Sequence, residues 1–221
     1  MKLHLAKLNG KAWKEILPPE EQVFWRGKLV ELIDLPRCVL PTGYNNQEVR
    51  LVCFADAAHD AGGAAIYAGV QVAPGVYSLT LLAAKSRLMK GTVPRNELSA
   101  IMLMSDLAFI AKRALGDRVK EVIYISDSMI ALSWCSSLEK KLHLFVQNRV
   151  ATILRMVSWT LSLADGESLP MYHIDGESNI ANLLTKEHPI GAQDVSQGSL
   201  WQSGPEWLSK PVSQMPIRKY D

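Results

Sequence analysis

The sequence lacks any apolar run approaching the roughly 20 residues that a bilayer-spanning helix needs, so no transmembrane segment is expected. Its opening stretch, MKLHLAKLNGKAWKE, has no uninterrupted apolar core and no small-residue cleavage site, and a secretory signal is not expected either. Cysteine is scarce: Cys38, Cys53 and Cys135 are widely spaced, odd in number and without a CxxC pair. That argues against a disulfide framework and a thiolate zinc site, and suits a reducing, intracellular compartment. Excess charge of one sign is missing as well. Lys plus Arg number 24 and Asp plus Glu 22, a net charge of +2 that permits nucleic-acid binding without arguing for it.

What is present is 221 residues, 48% of them hydrophobic, enough for one main domain with extensions. Residues 1–48 are punctuated by proline and read as a lead-in packed on a domain. Within them PPEEQVFWRGKLVELIDL predicts a helix opened by Pro19, Glu20 and Glu21, with Val23, Phe24, Leu29, Leu32 and Ile33 along one side. From residue 49 the texture changes. VRLVCFAD, GGAAIYAGVQV and GVYSLTLLAAKSR predict three strands, the last two joined across the turn signal Ala73, Pro74, Gly75. PRNELSAIMLMSDLAFIAKRAL predicts a long amphipathic helix introduced by Pro94. EVIYISDS reads as a buried strand ending in Asp127, SMIALSWCSS and KLHLFVQNRVATILRMV as two helices, and LPMYHI as a fifth strand. SNIANLLTK predicts a last helix with Ser178 as its N-cap.

The order βββαβααβα predicts an α/β fold: a mixed five-stranded sheet flanked by helices, an antiparallel meander joined to parallel strands through helical crossovers. Residues 49–190 would form this domain, and residues 191–221 a C-terminal arm. Trp201 and Trp207 of the arm should pack on the domain, since two exposed indoles would leave an apolar patch.

Three acids sit where such a fold binds ligands. Asp56 and Asp127 each end a strand, and the crevice beyond strand ends is the binding edge of open α/β sheets. Taken singly, each reads equally well as the cap of a following turn or helix. Glu97 shares a helical face with Ile101, Met104, Ala108 and Ala111, so it points at the sheet, where a carboxylate is costly unless paired or bound to metal. The competing reading is a first-turn Glu favoured by the helix dipole. Converging at one point, the three would offer oxygen ligands only, which select Mg²⁺ or Mn²⁺ over zinc. Two such ions about 4 Å apart would activate a water and stabilise the leaving oxygen in phosphodiester hydrolysis.

CFADAAHDAGGAAIY, LLAAKSRLMKGTVPRNELSAI, VIYISDSMIALSW, FVQNRVATI, HIDGESNIANLLTK and LWQSGPEWL occur in one order, preceded by LPRCVLP. In these segments the chain resembles the ribonuclease H domain of retroelement polyproteins, most closely that of BEL/Pao-class LTR retrotransposons, over nearly its whole length. The resemblance implies a ribonuclease H-like fold and metal-binding acids at Asp56, Glu97, Asp127 and position 182. It implies that Asp56 bridges two Mg²⁺ ions, which Mn²⁺ can replace. Glu97 and Asp127 would complete the site near the leaving group, and residue 182 would help hold the ion that activates water. The family usually has Asp in an N-x-A-D turn, whereas this chain has Asn179, Ile180, Ala181 and Asn182. An amide oxygen can ligate a hard cation but brings no charge, so impaired catalysis is expected, as in an Asp-to-Asn variant.

Around this set, His173 in the family's H-x-P position is a candidate auxiliary for proton transfer or product release, though a turn-bonding histidine is the blander reading. Arg95, Asn96, Ser128 and His59 are candidate substrate contacts, and Lys85, Arg87, Lys90 and Arg95 form a basic cluster expected in the loop before the Glu97 helix. The implied function is endonucleolytic hydrolysis of the RNA strand of RNA–DNA hybrids during reverse transcription. The expected partners are the hybrid and the reverse transcriptase domain of the same polyprotein, inside a cytoplasmic retroelement particle. The rival is a catalytically silent hybrid-binding module attached to a polymerase.

Overall fold

VRLVCFADA is apolar almost throughout, and a strand of that kind is stable only when covered on both faces. In the computed structural model it is the centre of the sheet and is buried along its whole length. The structure describes residues 15–30, 38–41, 45–136, 142–164, 167, 169–185, 195–196 and 198–220. In chain order the elements are α1 (Pro19–Val30), β1 (Val49–Ala57), β2 (Ala61–Ala73), β3 (Val76–Leu88), α2 (Val93–Leu115) and β4 (Val119–Ser126). There follow α3 (Met129–Ser136), α4 (Leu144–Leu161), β5 (Met171–Ile174), α5 (Leu200–Ser203) and β6 (Ile217–Tyr220). Short 3₁₀ turns fill the intervals Gly176–Ser178, Ile180–Leu184, Glu206–Ser209 and Val212–Gln214.

The sheet order is β3-β2-β1-β4-β5-β6. β1, β2 and β3 form the antiparallel meander, turning between β2 and β3 at Gly75, whose φ of +72° few other residues adopt cheaply. β4 and β5 add parallel strands. The five expected strands are therefore joined by a sixth: β6 pairs antiparallel with β5 from Met171 opposite Tyr220 to Ile174 opposite Ile217. Part of the C-terminal arm belongs to the sheet.

One face packs against α2 and α4 through Leu51, Cys53, Ile66, Ile101, Met104, Ile153 and their neighbours. On the other face lie Val52, Phe54, Tyr67, Ile123 and Ile125. The arm covers that face with Leu208 and Met215, and with Trp201 and Trp207 packed at its margin. Phe54 meets Tyr67 and Trp207 edge-on, ring centroids 6.0 Å apart in each case, and the Tyr67 hydroxyl donates to the Trp201 carbonyl at 2.9 Å. Arg50, with its side chain 5% exposed, bonds Glu121 at 2.5 Å and donates to the Lys210 carbonyl at 3.1 Å, its guanidinium 3.6 Å above the Tyr77 ring. Truncation after residue 190 would uncover this second core. The truncated chain is expected to melt well over 10 °C lower or to aggregate, since losing several buried side chains costs about 2–5 kcal/mol each; thermal denaturation beside the full chain measures it.

Three further expectations change. SNIANLLTK is not an α-helix: Ser178 ends one 3₁₀ turn, Ile180–Leu184 forms a second, Lys186 lies outside the described residues, and Asn179 rather than Ser178 caps the second turn, accepting from the Ala181 N–H at 3.1 Å. Its carboxamide is held by the strands below, which fixes a tighter turn than an α-helix would make. Glu97 lies beyond the first turn of α2, which starts at Val93 and contains no acid there, so the helix dipole does not account for it. Lys85 and Arg87 stand on β3 rather than in the following loop, which holds Lys90. In the lead-in, Val23 is 72% exposed, while the side chain of Leu29 and all of Leu32 and Ile33 lie outside the described residues. Among the described residues no helix is long and apolar enough to cross a membrane.

Candidate active site

Parallel pairing of β1 with β4 sets the site. Ala55 lies opposite Ser126, so the next residues, Asp56 and Asp127, leave adjacent strand ends side by side. α2, packed across β1 and β2, brings Glu97 to the same edge. Burial pushes the Asp56 carboxyl above the usual carboxylate range; a Thr185 hydrogen bond opposes the rise, and Asp127 and Glu97 add to it. Burial also raises Glu97, with Ser128 opposing and Asp127 adding. These three acids feel one another. The burial of Asp56, 8% exposed, makes its negative charge costly without a compensating partner.

Each acid is held by one neutral side-chain donor. The Ser128 hydroxyl donates to Glu97 Oε2 at 2.5 Å and its oxygen also accepts from the Ala131 N–H, capping α3. Asn179 donates from Nδ2 to Asp127 Oδ1 at 3.0 Å and to the Ala55 carbonyl at 2.9 Å. Thr185 donates to Asp56 Oδ2. Among the described residues, no three His, Cys, Asp or Glu side chains stand gathered as a ready-made metal cluster. The donor chemistry nevertheless fits a hard cation: three mutually repelling carboxylates offer oxygen only.

The turn bearing residue 182 lies directly on the sheet. A Cβ at Gly63, the partner of Asp56 across the β1–β2 ladder, would fall 2.6 Å from Leu184 Cβ, so glycine is what permits the approach. Asn182 is half-buried and its amide donates to the Gly176 carbonyl. Glu177, Asn179 and Asn182 form one wall of a cleft of about 340 Å³ whose other wall is Leu200, Pro205 and Trp207 of the arm.

The remaining candidates are spread around this edge. Asn96 is 4% exposed and donates to the Ala58 and His59 carbonyls at 3.1 and 2.8 Å, bracing the β1–β2 turn. His59 is exposed on that turn and bonds Asp60 at 2.8 Å. Arg95 faces the Phe145 ring at 5.2 Å, beside Arg149, which stacks on the same ring at 3.5 Å and donates to Ser99. His173 is half-buried on β5 between Ser126 and Arg218. Sequence reasoning assigned no role to Asn179 or Thr185. Asn179 carried a visible signal, a capping residue just before a turn; nothing local ties Thr185 to an acid 129 positions earlier.

A mixed sheet of this order, with helices on one face and acids at the ends of its central parallel strands, is a ribonuclease H-like fold. Residues 2–128 match the model of the Pao retrotransposon-like RNaseH-like domain, and the chain belongs to that family. The matched span includes Asp56, Glu97 and Asp127 and ends before position 182. No curated protein matches the chain. Among solved structures, it is similar to the N-terminal RNase H domain of a Mycobacterium tuberculosis protein, solved as a maltose-binding protein fusion, with 18% identity over 62% of this chain and 91% of that one at a TM-score of 0.41. RNase H1 from the halophilic archaeon Halobacterium salinarum is similar with 13% identity over 62% and 93% of the two chains and a TM-score of 0.38. For LC11-RNase H1 in complex with RNA/DNA hybrid the values are 18%, 62%, 93% and 0.41.

Proposed function

We propose that this chain is the ribonuclease H domain of a BEL/Pao-class retroelement, built to hydrolyse the RNA strand of RNA–DNA hybrids and weakened by the amide at position 182. The observation that carries this is the approach of Asp56, Glu97 and Asp127 to one sheet edge: burial raises the first two most, with Asp127 and Glu97 adding at Asp56 and Asp127 adding at Glu97. Family membership supports it. Asp56, Glu97 and Asp127 would hold two Mg²⁺ ions, or Mn²⁺ in their place, with Asn182 contributing an uncharged oxygen. Bound there, the ions would supply charge stabilisation and a nucleophile at neutral pH.

The protein groups orient the rest. Ser128 fixes Glu97, and Asn96 holds the turn that presents His59. Arg95 and His59 would meet phosphates, and His173, on the adjacent strand, would assist product release or proton transfer. A second reading, a silent hybrid-binding module, has one observation in its favour: position 182 carries an uncharged amide, whose Nδ2 donates to the Gly176 carbonyl, where the family usually has a carboxylate. In either case the partner is the reverse transcriptase domain of the same polyprotein, in a cytoplasmic particle.

An A-form-like hybrid presents 2′-hydroxyls in a wide minor groove, which a protein reads to recognise the RNA strand. In Ca²⁺ buffer the chain is expected to bind hybrid about tenfold or more tightly than duplex DNA, with affinity falling as salt rises. Fluorescence anisotropy measures both. Equal affinity for the two duplexes would defeat both readings. Hybrid binding with no cleavage in Mn²⁺ even after Asn182→Asp would leave the silent module standing.

A further inference from the structure

Asp56, Glu97 and Asp127 share a pattern: in each, one carboxylate oxygen is taken by a neutral side-chain donor from another element. Thr185 takes Oδ2 of Asp56, Ser128 takes Oε2 of Glu97, and Asn179 takes Oδ1 of Asp127. A carboxylate so tied has its rotamer fixed, and Asp56 accepts a backbone hydrogen bond from Ala57 besides. Beside the other oxygen of Asp127, Oδ2, stands Gly176, where a Cβ would come within 3.0 Å; the missing side chain keeps that oxygen open.

Two of the three donors also grip the turn that carries position 182. Asn179 Oδ1 accepts from the Ala181 N–H at 3.1 Å while its Nδ2 spans the Ala55 carbonyl and Asp127, stitching the ends of β1 and β4 to the turn. Thr185 has a single proton to give, and the Asn182 carbonyl 3.1 Å away is its alternative acceptor. A charged donor in these places would cancel the negative charge a cation needs. A neutral one orients it.

We propose that Thr185, Asn179 and Ser128 are positioning residues that fix the carboxylates of Asp56, Asp127 and Glu97 toward the metal site, and that Thr185 and Asn179 also register the position-182 turn against it. This rests on the metal-dependent nuclease reading above. Groups that hydrogen-bond metal ligands typically contribute 10–100-fold in affinity or activity.

The test uses the full chain and its Thr185→Val, Thr185→Ser and Ser128→Ala forms, with Mn²⁺ titrated calorimetrically and melting followed in parallel. Thr185→Val keeps the volume and removes only the hydroxyl; it is expected to weaken Mn²⁺ binding about tenfold, while Thr185→Ser stays within about twofold of the parent. In an Asn182→Asp background, Thr185→Val should lower kcat on hybrid about tenfold with KM unchanged. Ser128→Ala, acting through Glu97 on another element, should repeat the loss of Mn²⁺ affinity. If Thr185→Val and Ser128→Ala shift only the melting temperature and leave Mn²⁺ affinity and kcat at parental values, these residues are merely structural and the proposal is wrong. If proteins with Thr185 and Ser128 intact fail alike to bind Mn²⁺ and to cut, the nuclease reading itself falls, a result separable from the first.

Discussion

Asn182→Asp is expected to raise hybrid cleavage in Mg²⁺ by roughly two orders of magnitude or more, equivalent to about 3 kcal/mol of transition-state stabilisation. The two side chains have nearly the same volume, so the packing of the turn should persist. What changes is charge and donor capacity. The amide of Asn182 now donates to the Gly176 carbonyl, and a carboxylate has no proton to offer there. It would be repelled by that carbonyl and, in the proposed ligand set, by the acids Asp56 and Glu97, whose carboxyls are already raised by burial and by acidic neighbours. Without metal the substituted protein should therefore melt a few degrees lower, about 2–4 °C for each kcal/mol lost. With Mg²⁺ the order reverses, because the added charge binds a divalent cation more tightly. Mn²⁺, less demanding of its ligands, should narrow the gap by raising the parent. Hybrid affinity measured in Ca²⁺ should move little. Single-turnover cleavage of labelled hybrid decides the matter; equal rates in both metals would remove position 182 from the ligand set.

How far the site was legible in sequence follows from which contacts are local. Asp56 and Asp127 could be found because each ends an apolar strand, and parallel pairing then forces them together. Glu97 could be found because a helix repeats its face every three to four residues, and the same arithmetic locates Ile101, Met104 and Ala108, all fully buried. β6 could not. Ile217–Tyr220 reads IRKY, four residues with two cations, and only the open edge of β5 makes a strand of it. Likewise SNIANLLTK has apolar spacing that suits an α-helix, but the carboxamide of Asn179 is drawn down to the Ala55 carbonyl 124 positions away, and the chain tightens into a 3₁₀ turn. Long-range hydrogen bonds of this kind leave no periodicity. They made Thr185 and Asn179 invisible as partners of the acids, although both lie in a segment singled out for the residue between them.

Asp56→Asn should make the metal-free protein more stable near neutral pH while abolishing Mn²⁺ binding. Asp56 is the most buried of the three acids, 8% exposed, and its carboxyl is raised by burial, with Asp127 and Glu97 adding. A carboxyl raised on folding holds its proton longer in the folded state than in the unfolded one. Between the ordinary carboxylate value, about 3.9, and the raised folded value, the folded state binds more protons, so this group's contribution to stability falls as pH rises. Below that window both states are protonated and no penalty exists. Above it the penalty is complete and constant. Asparagine escapes it, and its amide oxygen still accepts from Thr185 at the place where the carboxylate now does. In EDTA near pH 7 the substituted chain should melt roughly 2–4 °C higher, what about 1 kcal/mol yields in a chain of this size. That advantage should disappear towards about pH 4. Added Mn²⁺ should then invert the order, since binding stabilises only the protein able to bind. A parent that outlasts Asp56→Asn at neutral pH without metal would mean that the Thr185 and Ala57 hydrogen bonds outweigh the burial, and that the acids at this edge are satisfied without a cation.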